Sequence, residues 1–205
     1  VFVDAFREVG AFTSRECRRL FEKGCAAGLG VKLHADQLSD SGGATLAAEL
    51  GANSADHLDF VSVDGMAAMA KAGVIGVMLP TVPLYVGSRR QAPAARLQAA
   101  GVPLALATDF NPGTSPVDSM GIVVALACLQ MRMSPAAALV AATRNAAYAV
   151  GRGSRIGTLE VGKQADLQIY AVDDYAELPY KFGMQQPSVV IKAGRVVVED
   201  GTVVG

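Results

Sequence analysis

The chain of 205 residues contains two histidines, His34 and His57, and each closes a short segment of strand character. A third metal-competent group, Asp109, follows the apolar run at 103–108 and opens the turn Phe110-Asn-Pro-Gly-Thr-Ser-Pro116. Imidazole and carboxylate bind zinc and iron, and both exchange protons during catalysis. Side chains that leave the C-terminal ends of parallel strands converge on one rim, where α/β proteins place their chemistry. Three such groups at one predicted address point to a metal-assisted or acid–base site. Their long spacing matches no local motif such as H-E-x-x-H, so only the fold can bring them together.

Neighbouring residues add to this set. Gln37 stands three residues after His34 in His-Ala-Asp-Gln and offers a donor and an acceptor to the same rim. Asp36 and Asp56 each adjoin a histidine, and either reads as a histidine partner or as a plain cap. In the turn after Asp109, the backbone N–H groups with the Thr114 and Ser115 hydroxyls suit a carboxylate. The pair Ser115-Pro116 equally suits the N-cap and first position of a following helix.

The elements that must position these groups alternate. A strand is predicted over 1–6. A helix then begins at the capping box Thr13-Ser-Arg-Glu16, with Leu20 and Phe21 facing inward and Gly28 and Gly30 at its exit. Strands over 31–34, 54–57, 74–79 and 103–108 alternate with helices over 43–50, 64–72, 94–100 and 117–131. Ser134-Pro135 starts another helix, and 80–93, with Pro80, Pro83 and Pro93, reads as a loop. Five strand–helix units argue for a parallel sheet with right-handed crossovers. A closed barrel of this type needs eight strands and ~250 residues, so residues 1–150 hold too few strands to close one. After Gly151 the texture changes. Segments 157–162, 165–170 and 189–204 read as short strands, with hairpin turns at Ala193-Gly194 and Asp200-Gly201, giving a small β unit over 151–205.

Composition excludes several classes. With 51% hydrophobic residues and a net charge of −1, the chain describes one compact domain with at most an appendage. That balance gives no reason to expect nucleic acid or an anionic membrane as partner. Arg15, Arg18, Arg19 and Lys23 fall at helical spacing and read as a solvated face. The pair Arg89 and Arg90 is open to either reading. Cys17 and Cys25 would stand ~12 Å apart along one helix, beyond disulfide reach, and with Cys128 they suggest a reduced, cytoplasmic protein. The run at 120–129 is about half the ~20 residues needed to span a bilayer, so it reads as a buried helix that packs Cys128. No nucleophile elbow, P-loop or G-x-G-x-x-G is present. The chain starts in a strand at Val1 with no initiator methionine, and a missing N-terminal part is expected.

Three strings carry a resemblance: His34-Ala-Asp-Gln-Leu-Ser39, Ser54-Ala-Asp-His-Leu58, and Ala107-Thr-Asp-Phe-Asn-Pro-Gly-Thr-Ser-Pro116. Together they resemble the imidazolonepropionases of histidine degradation, a family of the amidohydrolase superfamily. The string Gly157-Thr-Leu-Glu-Val-Gly-Lys-Gln-Ala-Asp-Leu167 resembles a tail shared by many amidohydrolases. The resemblance implies the C-terminal part, about strands 4–8, of a TIM-like (β/α)8 barrel plus part of a small β domain. It implies His34 and Asp109 as metal ligands, His57 as a catalytic group near the activated water, and Asp109 as an additional proton acceptor. Gln37, Asn111, Gly113 and Thr114 would match substrate-contacting positions, and Gln37, where some relatives carry Glu, is with His57 a candidate catalytic group. The implied reaction uses a zinc or iron ion to activate water for attack on the ring carbonyl of 4-imidazolone-5-propanoate, giving N-formimidoyl-L-glutamate. The family's His-x-His pair and its substrate-binding arginine are not in this chain, so an N-terminal half is an expected partner, and a homodimer is implied. Two further readings stay open: another amidohydrolase, such as a ring-amidine deaminase or cyclic amidase, or a half-barrel that binds a small anion without catalysis.

Overall fold

The computed structural model describes residues 1–204. Five strands, β1 (Phe2–Arg7), β2 (Gly30–Ala35), β3 (Ser54–His57), β4 (Ile75–Met78) and β5 (Leu104–Leu106), form one sheet in the order β1-β2-β3-β4-β5. Every neighbouring pair is parallel. Between them lie α1 (Ser14–Ala26), α2 (Gly43–Glu49), α3 (Val63–Ala72), and the pair α4 (Thr81–Tyr85) and α5 (Ala94–Ala99). Sequential strands pairing side by side in parallel, each linked through a helix, is the local order of a (β/α) barrel wall. Among the described residues, β1 and β5 each lack a second neighbouring strand, so the wall is open at both edges.

Local sequence explains the helix starts. Thr13 and Glu16 close the predicted capping box on α1, Ser62 caps α3, and Ser134 with Pro135 at the first position starts α7 (Pro135–Val140). Within α1, Phe21 is buried as expected, whereas Leu20 is 39% exposed because it lies beside the solvated Arg19 on the outer face. The segment expected to be wholly loop contains α4. Pro83 is tolerated there because it sits in the first turn, where a backbone N–H has no helical acceptor to lose.

The helix expected over 117–131 is shorter. It is α6 (Met120–Leu129), and its cap is Ser119, which accepts from the Ile122 N–H, rather than Ser115. The next helix continues from α7 through a π-helical turn, Ala141–Asn145, into α8 (Ala146–Ala149). There the Asn145 side chain donates to the Leu104 carbonyl on the open edge of β5 at 2.8 Å.

Two apolar clusters fix the layers. The larger joins Val31, Leu33 and Ala35 of β2 to Phe21, Leu46, Met66 and Met69 of the flanking helices. The smaller lies on the opposite face, where Ile75, Val77 and Ala105 meet Ala146 and Ala149 of α8. Burial on both faces accounts for the uninterrupted apolar character of β4.

Beyond α8 the chain forms β6 (Leu167–Ile169), α9 (Glu177–Tyr180), β7 (Val189–Lys192), β8 (Arg195–Glu199) and β9 (Thr202–Val203). The strands make a separate antiparallel sheet in the order β6-β7-β8-β9. Its hairpins turn at Ala193-Gly194 and Asp200-Gly201, all with positive φ, as two-residue turns require. Residues 157–162, expected as a strand, form an irregular segment that ends in a turn at Val161-Gly162. No helix among the described residues is long and apolar enough to cross a membrane.

Candidate active site

Strand β2 alternates: Val31, Leu33 and Ala35 enter the core, so Lys32 and His34 project from the other face. His34 is the penultimate residue of β2 rather than its last. Its Nδ1 lies 3.1 and 2.9 Å from the two carboxylate oxygens of Asp4 on β1. His57 ends β3 and is buried. Its ring centroid is 5.3 Å from that of His34. Asp109 follows β5. One ligand atom from each of His34, His57 and Asp109 lies within 4.8 Å of the other two. Groups drawn from three strand ends, and 75 positions apart at the extremes, thus meet at the C-terminal rim.

The backbone is forced into this arrangement. Asp36, His57, Leu58 and Asp109 all have positive φ, between 51° and 77°. A non-glycine residue in the left-handed region costs ~1–3 kcal/mol and persists only where its surroundings hold it. The holders are identifiable. Leu58 N–H donates to the Ala35 carbonyl and Phe60 N–H to the Asp36 carbonyl, tying the turn after β3 to the end of β2. The carbonyl of Thr108, immediately before Asp109, accepts from the Thr81 hydroxyl at 3.0 Å and the Ser115 hydroxyl at 2.6 Å. Both hydroxyls are fully buried, and Ser115 is held at this carbonyl while α6 starts only at Met120, beyond its reach as a cap.

The acidic neighbours divide by role. Asp36 is a cap: its carboxylate accepts from the N–H groups of Ser41, Gly43 and Ala44 at the start of α2. Gly43 makes the close approach possible, since a Cβ there would stand 2.8 Å from the Ala35 Cβ. Asp56 accepts from the Ser54 hydroxyl at 2.7 Å and pairs with Lys32, below the histidines on the strands.

Glu8, just past β1, is buried and accepts from the N–H groups of Leu38, Ser39 and Val9 and from the Ser39 hydroxyl. It therefore anchors the loop that carries Gln37, which is itself half-buried. Burial pushes the Glu8 carboxyl up, but these four hydrogen bonds outweigh it and hold the group below its usual 4.5. Stability from such a group is present above the unfolded value and is lost as pH falls through the folded one. Glu8→Gln is expected to cost about 2 kcal/mol at neutral pH. The gap in melting temperature from wild type should close in acid, and a gap that stays constant would show that the charge does not hold the loop.

The turn after Asp109 departs from expectation. Asn111 Oδ1 accepts from the N–H groups of Gly113 at 2.9 Å and Thr114 at 2.8 Å, while its Nδ2 donates to the Asp109 carboxylate at 3.1 Å. The donors expected to cradle a carboxylate are thus already engaged by the turn's own asparagine.

Electrostatics favour neutral, ligating imidazole at His57. Burial first, and then the nearby His34, lower its pKa to about 3. Its Nδ1 is buried without any hydrogen-bond partner. A buried imidazole nitrogen without a partner, on a ring beside two other metal-competent groups, suits a cation, so this donor set fits a metal ion, with His57 as a third donor besides His34 and Asp109. At His34 the hydrogen bond that its ring donates to Asp4 raises the pKa against burial, and the Asp4, Asp56 and Asp109 charges add to that. Burial raises Asp109, with His34 opposing.

Asp4, Glu8 and Thr81 escape a reading by residue type and spacing. The available signal for Asp4 is an acid in the middle of the apolar run 1–6.

A family model described as "Amidohydrolase family" matches residues 2–198. The chain belongs to the amidohydrolase family. It is similar to the imidazolonepropionase of Geobacillus kaustophilus, with 52% identity over 202 residues covering 98% of this chain and 47% of the relative. The imidazolonepropionase of Symbiobacterium thermophilum is 44% identical over 98% of this chain and 48% of its own length. The chain thus spans about half the length of the curated relatives it matches. Among solved structures, an adenosine deaminase from Xanthomonas campestris with bound zinc superposes with a TM-score of 0.80 at 25% identity, over 95% of this chain and 51% of that one. An amidohydrolase from a Sargasso Sea environmental sample gives 0.80 at 22% identity, over 100% of this chain and 50% of that one. The five parallel strands are accordingly the C-terminal part of a TIM-like (β/α)8 amidohydrolase barrel, followed by a small β unit.

Proposed function

We propose that this chain is the C-terminal portion of an imidazolonepropionase, which hydrolyses the cyclic amide of 4-imidazolone-5-propanoate to N-formimidoyl-L-glutamate in histidine degradation. Residues 1–150 would form the barrel portion and 151–205 part of the small β domain. The observation that carries the reading is the convergence of His34, His57 and Asp109 on one rim within 4.8 Å, in a chain about half identical to curated imidazolonepropionases.

His34 and Asp109 would hold a zinc or iron ion, with His57 in reach as a further donor. Such an ion supplies Lewis acidity toward the ring carbonyl and lowers the pKa of water. The chain's own residues supply the rest. Asp109 takes a proton from the attacking water. His57, kept neutral by burial, offers Nδ1 to the developing oxyanion or relays the proton to the departing ring nitrogen. Gln37 carries an amide, which cannot act as a base at neutral pH, so it orients the ring by hydrogen bonding. Asn111, Gly113 and Thr114 would contact the substrate; the Gly113 and Thr114 N–H groups would reach its carboxylate only in exchange for their bonds to Asn111.

An N-terminal half would complete the open barrel wall and the ligand set, and the finished enzyme would be a cytoplasmic homodimer. The test uses the chain completed by such a half, supplied with zinc or iron and with imidazolone made from urocanate. Loss of the imidazolone absorbance with formimidoylglutamate as product is the expected result. Ammonia released from a nucleobase instead would move the reading to a deaminase, and binding without turnover to a non-catalytic half-barrel.

A further inference from the structure

The two side chains that seat His34 both come from β1. Asp4 and Phe6 are two residues apart on that strand and so share a face. Phe6 is the register partner of His34, and its ring meets the imidazole edge-on, with centroids 6.2 Å apart and planes at 75°. Asp4 is in register with Lys32, one step further back on the face that carries His34. Its two carboxylate oxygens straddle Nδ1 at 3.1 and 2.9 Å. Lys32 does not compete for that carboxylate: it is engaged by Ser54 and Asp56 on the other side.

A carboxylate can only accept a hydrogen bond, so a neutral His34 must carry its proton on Nδ1 and leave the Nε2 lone pair bare. The ring's rotation is set at the same time by the Phe6 edge. Strand β1 thus presents one defined nitrogen of His34 to the group formed with His57 and Asp109.

We propose that Asp4 is a positioning residue for the metal centre, fixing the tautomer and ring orientation of His34 so that Nε2 is the ligating nitrogen. This inference rests on the metal-dependent reading of the site. A carboxylate behind a ligating imidazole both orients it and raises its basicity, and removal of such a partner typically weakens metal binding 10–100-fold.

The test compares the wild-type 205-residue chain with Asp4→Ala, Asp4→Asn and His34→Ala. Nitrogen-15 NMR of the metal-free chain at alkaline pH, where the imidazole is neutral, reads the tautomer. Competition with a chromophoric chelator reads affinity for Zn²⁺, and the visible spectrum of bound Co²⁺ reads ligand geometry. The expected result is an Nδ1–H tautomer at His34 in wild type and its loss in Asp4→Ala. Zn²⁺ affinity should then fall about 10–100-fold with an altered Co²⁺ spectrum. Asp4→Asn, whose amide oxygen still accepts from Nδ1–H, should retain most of the wild-type affinity. A role confined to folding would lower the melting temperature of the alanine variant without moving the tautomer or the spectrum. An Nε2–H tautomer in wild type, or equal Zn²⁺ affinity in wild type and Asp4→Ala, overturns the inference. If the wild-type chain and His34→Ala bind Zn²⁺ equally, the reading of the site fails, while the tautomer measurement still decides whether Asp4 positions His34.

Discussion

Joined at Val1 to the first half of the Geobacillus kaustophilus relative, the chain is expected to hydrolyse 4-imidazolone-5-propanoate about 10³-fold faster than the 205 residues alone. Metal assistance contributes several kcal/mol, and each 1.36 kcal/mol is a factor of ten in rate. The chain supplies three donors, His34, His57 and Asp109, at a rim whose barrel wall is open at β1 and β5. Its inner face therefore stays wet: Asp4 and His34 have side chains 39% and 31% exposed, although they belong to the centre of the site. Exposure weakens every electrostatic interaction that the reaction would use. Steady-state rates and bound metal, measured on the lone and the joined chain at equal added zinc, check this. Equal turnover by the two would show that the half-barrel is sufficient, and the proposed need for an N-terminal half would fall.

In the joined enzyme, His57→Phe is expected to reduce kcat by about 10²–10⁴-fold, the range for loss of a positioned proton-transfer group. Phenylalanine keeps the apolar contacts of a buried ring and removes only the nitrogens, including the Nδ1 that has no protein partner. Measuring the metal content of the variant separates two roles. Full metal with lost turnover assigns His57 to proton transfer or oxyanion stabilisation, whereas lost metal assigns it to the ligand set. Unchanged substrate affinity with unchanged turnover would remove His57 from the site altogether. Because burial already holds this imidazole neutral, with a pKa of about 3, the variant has no buried charge to leave uncompensated.

The strand–helix alternation was readable because its signals are short-ranged. The capping box at Thr13–Glu16 and the Ser134-Pro135 start depend on residues within one helical turn, and both are present as read. Ser115 misled for the same reason. Its local pattern is that of a cap, but its hydroxyl is buried against the Thr108 carbonyl and Thr81, 34 positions away, and the helix starts only at Met120. In the Phe110–Pro116 turn, residue type marks the N–H groups of Gly113 and Thr114 as donors but does not show that the Asn111 side chain, inside the turn itself, accepts from both.

Residue type and order alone determined that this chain carries parallel βα units, that His34, His57 and Asp109 all fall at strand ends, and that a separate β hairpin unit follows. Periodicity, caps and turn residues act over a few positions, and so they survive a reading without coordinates. The tertiary structure alone decided that the three groups stand within 4.8 Å, that Asp4 faces His34 Nδ1, and that Thr81 and Ser115 clamp the carbonyl before Asp109. Apart from the bond between Ser115 and Thr108, these contacts join residues more than twenty positions apart. Strand register sets whether they meet, and left-handed backbone at His57 and Asp109 sets where their side chains point.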